Sequence, residues 1–209
     1  MTIPQSLLTF ALAASILAVT PGIDTALVLR TAATGGARRA VFAALGIALG
    51  CLAWGAAASI GLGALLAASG TAFTIVKWLG AGYLLWLGGR LLLGPRHALS
   101  SAPALGTGSP DGDMAGLRRG LLANVLNPKV GVFYVTFLPQ FVPPSVGVAS
   151  FTFLLACIHV VLSLAWFAIL IGATVPLSRF LARSRVVATL DRITGGVFIA
   201  LGLRLAWVR

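Results

Sequence analysis

The sequence predicts an all-α integral membrane protein of six transmembrane helices, arranged as two inverted three-helix repeats with helices one and four broken by proline. Three observations carry this reading. The 209 residues are 59% hydrophobic and only 9% charged, with a mean hydropathy of +1.03, whereas soluble domains are nearer a quarter charged. Six apolar runs are long enough to cross lipid, which takes about 20 residues because a spanning helix must close its own backbone hydrogen bonds across about 30 Å. The basic residues fall in alternate gaps between those runs. Fifteen Lys and Arg against four acids give a formal net charge of +11. They form no aromatic-interleaved patch, so lipid topology explains them and no nucleic-acid partner is expected.

The runs are Ile3–Leu29, Ala40–Ala67, Thr71–Leu93, Leu117–Val142, Val148–Val175 and Val186–Val208. The first opens with "MTIPQSLLTF", which lacks the basic n-region of a removable signal peptide, and no small-residue cleavage site follows it. The gap after it holds Arg30, Arg38 and Arg39. The second run carries Gly46, Gly50, Gly55, Gly61 and Gly63, better suited to close helix packing than to binding. An uncharged turn, "ASGT", leads to the third run, with Lys77 just inside it. Arg90, Arg96, Arg118 and Arg119 mark the next gap, and Arg179, Arg183, Arg185 and Arg192 the one between runs five and six. The turn "PPSVG" after run four is uncharged. The positive-inside rule then puts the three basic loops in the cytoplasm and both termini outside. Trp78 and Trp207 fall near the outer boundary and Trp86 near the inner one, where indole rings favour the interface.

Residues 94–116, "GPRHALSSAPALGTGSPDGDMAG", are rich in Gly, Pro and Ser and read as a flexible cytoplasmic linker. They divide the chain into a first repeat, 1–93, and a second, 117–209. An offset of 114 lays Gly82 on Gly196, Leu87 on Leu201, Gly88 on Gly202, Arg90 on Arg204 and Leu91 on Leu205. Three spans per half invert the second copy. Secondary transporters are often built so, with the substrate site at the midplane between broken helices.

Each half has a candidate break. In the first run, "TPGID" places Pro21 and Gly22 ahead of Asp24; in the fourth, "NPK" places Pro128 between Asn127 and Lys129. Proline removes a backbone donor and clashes with the preceding turn, and glycine tolerates dihedrals that other residues avoid. Lys129 stands about 16 Å into its span at 1.5 Å per residue, near the bilayer centre. Insertion costs about 2.5–3.5 kcal/mol for an Asp or Lys at that depth, so the two together cost roughly 5–7 kcal/mol unless they pair or meet water. A structural Asp24–Lys129 ion pair and a capping role for Asp24 are the alternatives to a binding site. Asn124 and Asn127, three apart, are expected on one helix face. His159 in run five reads as a packed residue bonded to a neighbour.

Neither a metal constellation nor a cofactor motif is present, and no Gly-x-x-x-x-Gly-Lys-Ser/Thr loop occurs, which rules out ATP drive from this chain. Cys51 and Cys157 lie far apart in runs two and five, which speaks against a disulfide framework. A membrane thiol–disulfide carrier using both is the rival function. Their settings, "LGCLAWG" and "LACIHVV", offer little to lower a thiol pKa.

Together, "TPGIDTALVLRTAATGGARRA", "GYLLWLGGRLL" and "GLLANVLNPKVGVFYVTFLPQFV" resemble the LysE/RhtB family of amino-acid exporters, in order and spacing over nearly the whole chain. Where the common pattern has a second Pro ahead of the acid, this chain has Ile23. The resemblance implies a bacterial inner-membrane exporter of amino acids or related metabolites, driven by the proton gradient. It places Pro21, Gly22, Asp24, Asn127, Pro128 and Lys129 in the translocation core. A zwitterion fits such a core: its ammonium suits Asp24, and its carboxylate suits Lys129 or a half-helix N-terminus. The scarcity of acids in the spans favours a neutral over a dibasic substrate. The expected partners are therefore a small-molecule amino acid, protons and the lipid bilayer, with self-association left open.

Overall fold

Helix forms along every apolar run. The computed structural model describes residues 2–68, 70–93, 112–173 and 184–207, and these contain no strand. The elements are α1 (Ile3–Val19), α2 (Ile23–Ala68), α3 (Gly70–Leu93), α4 (Asp113–Val125), α5 (Pro128–Val132), a π-helical turn (Phe133–Phe137), a 3-10 turn (Leu138–Phe141), α6 (Val148–Gly172) and α7 (Ser184–Trp207). The segment Ile23–Gly61 and helix α6 are each long and apolar enough to cross a membrane; Asp113–Val125 and Lys129–Phe141, bent by 58°, count as a third span when taken together. Large apolar side chains such as Leu8, Leu12, Ile60, Leu79 and Val161 stand exposed on the outer surface, as lipid-facing residues must.

The sequence explains where helices stop. The residue before a proline is driven out of the α region by the ring. Thr20, ahead of Pro21, is extended at φ −66°, ψ 121°, and Asn127, ahead of Pro128, at φ −82°, ψ 105°. Pro128 then starts α5, where its fixed φ suits the first helical position and its missing N–H costs nothing. The loop expected between the first two runs shrinks to one residue inside α2. Gly36 has φ 84° and ψ 169°, a conformation that L side chains rarely adopt. The expected linker lies outside the described residues up to 111. Its last part differs from the expectation: Asp113 to Gly116 already belong to α4, with Asp113 in the first turn, where a carboxylate offsets the helix dipole. Asp113 also accepts from Arg38 at 2.7 Å, beside the Gly36 turn. Arg96, Arg179, Arg183 and Arg209 lie outside the described residues.

Lipid gives helices no hydrophobic reason to associate, so close backbone packing takes over. Helix α2 lies against α4 and α6, α3 against α7, and α1 against α6. The α2–α4 contact is made by glycines from both sides. A Cβ added to Gly46 would stand 2.0 Å from the Leu117 carbonyl oxygen, and one on Gly120 2.0 Å from that of Ala43. The α3–α7 contact is reciprocal: a Cβ on Gly88 or on Gly195 would meet the other's carbonyl oxygen at 2.8 Å. Gly55 faces the Ala156 side chain of α6 in the same manner, at 2.4 Å.

An aromatic stack fills the space beside the second helix interruption. Phe133 and Phe137 stack at 4.5 Å, Phe137 meets Phe141 at 4.7 Å, and Phe10 of α1 sits edge-on to Phe141 at 5.4 Å. The Ser6 hydroxyl donates to the Phe141 carbonyl, fastening α1 to the 3-10 turn.

Gly120→Ala is therefore expected to force α2 and α4 apart and lower the thermal unfolding temperature of detergent-solubilised protein. Gly89→Ala, whose Cβ would meet nothing within 4 Å, should leave it unchanged or raise it slightly, since Ala is favoured over Gly in helices by about 1 kcal/mol. Equal unfolding temperatures for the two variants would refute the close-packing account.

Candidate functional site

The first turn of α2 carries Asp24 directly after the Thr20–Gly22 interruption. Its carboxylate is held from the other half of the chain. Asn124 donates from Nδ2 to Asp24 Oδ2 at 2.8 Å, and Asn127 donates from Nδ2 to Oδ1 at 3.5 Å. Charge-assisted bonds of this kind are stronger than neutral ones. Asn127 also caps α5, its Oδ1 accepting from the Lys129 backbone N–H at 3.1 Å.

The expectation that the two asparagines share a helix face needs correction. Helix α4 ends at Val125, so Asn124 is in its last turn while Asn127 starts the next helix. They converge on Asp24 because the chain turns between them. Asn124 is fully buried and supports the carboxylate from behind.

Asp24, Gly22, Asn127 and Lys129 line one cavity of about 50 Å3, room for a few water molecules. Pro21 is buried next to it without lining it. The Lys129 ammonium stands 3.7 Å from the point where a Cβ on Gly22 would be. Asp24 and Lys129 thus line one small cavity between helix ends.

Several contributors were not expected. Cys51 lines the cavity, and its Sγ lies 3.4 Å from Asn124 Nδ2. Gly50 makes room for Asn124, since a Cβ there would stand 2.6 Å from Asn124 Oδ1. Thr20 lines the cavity and its hydroxyl meets that of Thr194 on α7, linking the first interruption to the last helix. From α6, His159, which the sequence reading considers, is joined by Ser163 and Phe167 to complete the wall; the i+4, i+8 spacing from His159 is the sign the sequence gives of those two. Gly131 likewise admits the Trp54 ring, which a Cβ would meet at 2.7 Å.

A cavity with charged side chains between interrupted helices, inside a protein with many large apolar side chains exposed on its surface, is the arrangement of a multi-pass membrane transporter. The chain belongs to the LysE type translocator family, whose profile matches residues 15–208. It is 33% identical to a leucine efflux protein of Enterobacter sp. (strain 638) over 205 residues, 95% of this chain and 93% of that one. A leucine efflux protein of Klebsiella pneumoniae is 32% identical over 203 residues, 95% of this chain and 93% of its own. An uncharacterized membrane protein of Bacillus subtilis is 28% identical over 205 residues, 96% of this chain and 98% of the relative. No solved structure matches the chain.

Asn124→Leu removes the nearer donor to Asp24, and a buried acceptor losing its partner costs about 1–3 kcal/mol. Gly50→Ala should act in the same direction by displacing the Asn124 side chain. Both variants are expected to unfold at lower temperature than the wild type, and the double variant to lose less than the sum of the two. Strict additivity would show that Gly50 and Asn124 act separately.

Proposed function

We propose that this chain exports neutral, aliphatic amino acids across the bacterial inner membrane, by proton antiport through the Asp24–Lys129 cavity. The observation that carries the reading is the pairing of Asp24 and Lys129 on one cavity between two helix interruptions, in a family whose relatives include leucine efflux proteins. The free amino acid presents the complementary pair. Its ammonium binds at Asp24, which Asn124 and Asn127 hold in place, and its carboxylate binds at Lys129. Apolar lining from Ile47, Val130 and Phe133 suits an aliphatic side chain.

Proton coupling follows from the same carboxylate. Protonating Asp24 from outside removes the charge that holds the ammonium and releases substrate there; losing the proton inside restores the site. One proton moving through 100 mV yields about 2.3 kcal/mol. That sustains roughly a fifty-fold gradient where 1.4 kcal/mol is tenfold.

The architecture proposed for this cycle is six spans in two inverted repeats, joined by a linker that ends where α4 begins at Asp113, with both termini outside. Pro21, Gly22 and Pro128 interrupt helices one and four. Internal symmetry supports it. Gly88 packs on Gly195, and a Cβ on Gly202 would meet the Ala81 carbonyl oxygen at 3.1 Å. The offset of 114 found in the sequence turns the first of these pairs into the second, since it carries 88 to 202 and 81 to 195. Alternating access would then rock one repeat against the other about the cavity. No observation favours the thiol–disulfide alternative: Cys51 and Cys157 are both free thiols, on α2 and α6.

The test is efflux from cells loaded with leucine-containing dipeptides, comparing wild type, Asp24→Asn, Lys129→Gln and cells without the protein. Wild type should empty the leucine pool fastest, each variant should fall by about tenfold or more at equal membrane abundance, and an uncoupler should abolish the difference. Wild-type efflux equal to that of cells lacking the protein would overturn amino-acid export. Efflux that persists after uncoupling would overturn the proton antiport alone.

A further inference from the structure

The wall of the cavity contributed by α6 has a composition of its own. His159, Ser163 and Phe167 line it, one helical turn apart. His159 is 5% exposed and both of its ring nitrogens are engaged: Nδ1 lies 2.8 Å from the Tyr134 hydroxyl, and Nε2 lies 3.4 Å from the Ser163 hydroxyl. The ring also packs on Phe133 at 5.2 Å and on Tyr134 at 5.5 Å. Neither partner is a carboxylate. A neutral imidazole has one donor and one acceptor, and a hydroxyl is both, so a chain Tyr134–His159–Ser163 closes without any charge. The charged groups that face the cavity, Asp24 and Lys129, come from the two helix interruptions. The cavity is therefore lined by two charged side chains from the helix interruptions and by an uncharged face from α6.

We infer that the His159–Ser163–Phe167 face is the side-chain subsite of the cavity, and that His159 sets its selectivity by keeping it uncharged. The inference rests on the export reading, in which the two charged side chains take the main-chain ammonium and carboxylate. With those groups bound at Asp24 and Lys129, the substrate's side chain is directed onto α6. There it meets a phenyl ring, a hydroxyl and an imidazole already engaged by its neighbours. An aliphatic or small uncharged side chain loses little on entering. A second ammonium or carboxylate would lose its water and gain no opposite charge, which is the costly case for a buried ion. Rejection of charged side chains is thus built into one wall, and reversing it takes one residue. Tyr134 is the positioning residue: it lies in the π-helical turn just after Lys129 and holds the His159 ring from the broken segment. π-helical turns recur at functional sites, and here the turn links the Lys129 segment to the α6 face.

The experiment uses the full chain in proteoliposomes, measuring leucine transport with lysine or glutamate as competitor. His159→Gln, which stays uncharged and keeps a donor and an acceptor, should hold the leucine-to-lysine preference within about threefold of wild type. His159→Asp puts a carboxylate on the wall. It should strengthen competition by lysine by about tenfold or more, acting through KM rather than maximal rate, while glutamate competes no better than before. Tyr134→Phe, which also leaves that wall uncharged, should keep the preference as His159→Gln does. If His159→Asp does not fold, Ser163→Asp places the carboxylate one turn along the same face and decides the matter by the same readout. A folded carboxylate variant that transports leucine with the wild-type leucine-to-lysine preference overturns the subsite. Wild-type vesicles that move no amino acid at all overturn the export reading instead, and the subsite with it.

Discussion

In hydrocarbon, a helix that stops must have its loose ends met by protein, because no water is present to meet them. This chain stops twice within its apolar runs, at Thr20–Gly22 and at Leu126–Asn127, and each stop supplies what the other lacks. The first leaves Asp24 at the start of α2. The second leaves Asn127 free to cap α5 and to reach Asp24 together with Asn124. The two interruptions are joined through the Asp24 carboxylate, which accepts from an amide on each side of the second break. Gly46 and Gly120 bring the backbones of α2 and α4 close together on the side from which Asn124 reaches Asp24. Gly50 shows the link in one residue, since the space it leaves is filled by the amide that holds Asp24.

The surrounding packing falls into two kinds. Around α2, α4 and α6, and between α3 and α7, glycine lets backbones touch, which favours rigid contact. Around the π-helical and 3-10 turns, the contacts are between rings: Phe10, Phe133, Phe137 and Phe141. Ring contacts tolerate small sliding and re-stacking better than a carbonyl against a Cα does. The stiff contacts hold the helices in place, and the softer ones lie where the helix is irregular and next to the cavity.

Much of the charged half of the site is legible in the sequence. Asp24 and Lys129 stand out because an ionised side chain in an apolar run is expensive, and Pro21 and Pro128 mark the places where the backbone changes course. Asn124 and Asn127 are legible as a pair by spacing, though the turn between them, not a shared helix face, brings them together. The neutral half is legible only at His159, which reads as a packed residue bonded to a neighbour. Thr20, Tyr134 and Ser163 are ordinary polar residues in the sequence, and tertiary contacts give them their partners: Thr194 of α7 for Thr20, and His159 of α6 for Tyr134 and Ser163. The Gly36 turn is half legible: "TGGARR" marks a loop, but nothing in its composition tells a ten-residue excursion from a single left-handed residue. The π-helical turn has no sequence signature; in the fold its Phe133 and Tyr134 rings both meet His159 of α6.

The reciprocal contact of Gly88 with Gly195 bears on how such a protein can change over evolutionary time. The atom that obstructs a side chain at either position is a backbone oxygen of the other. A core clash between side chains can be relieved by shrinking the neighbour, but a carbonyl cannot be made smaller. No substitution at one glycine compensates for the loss of its counterpart. The pair is locked by geometry, and a descendant that replaces either glycine has to move two whole helices apart in the same step.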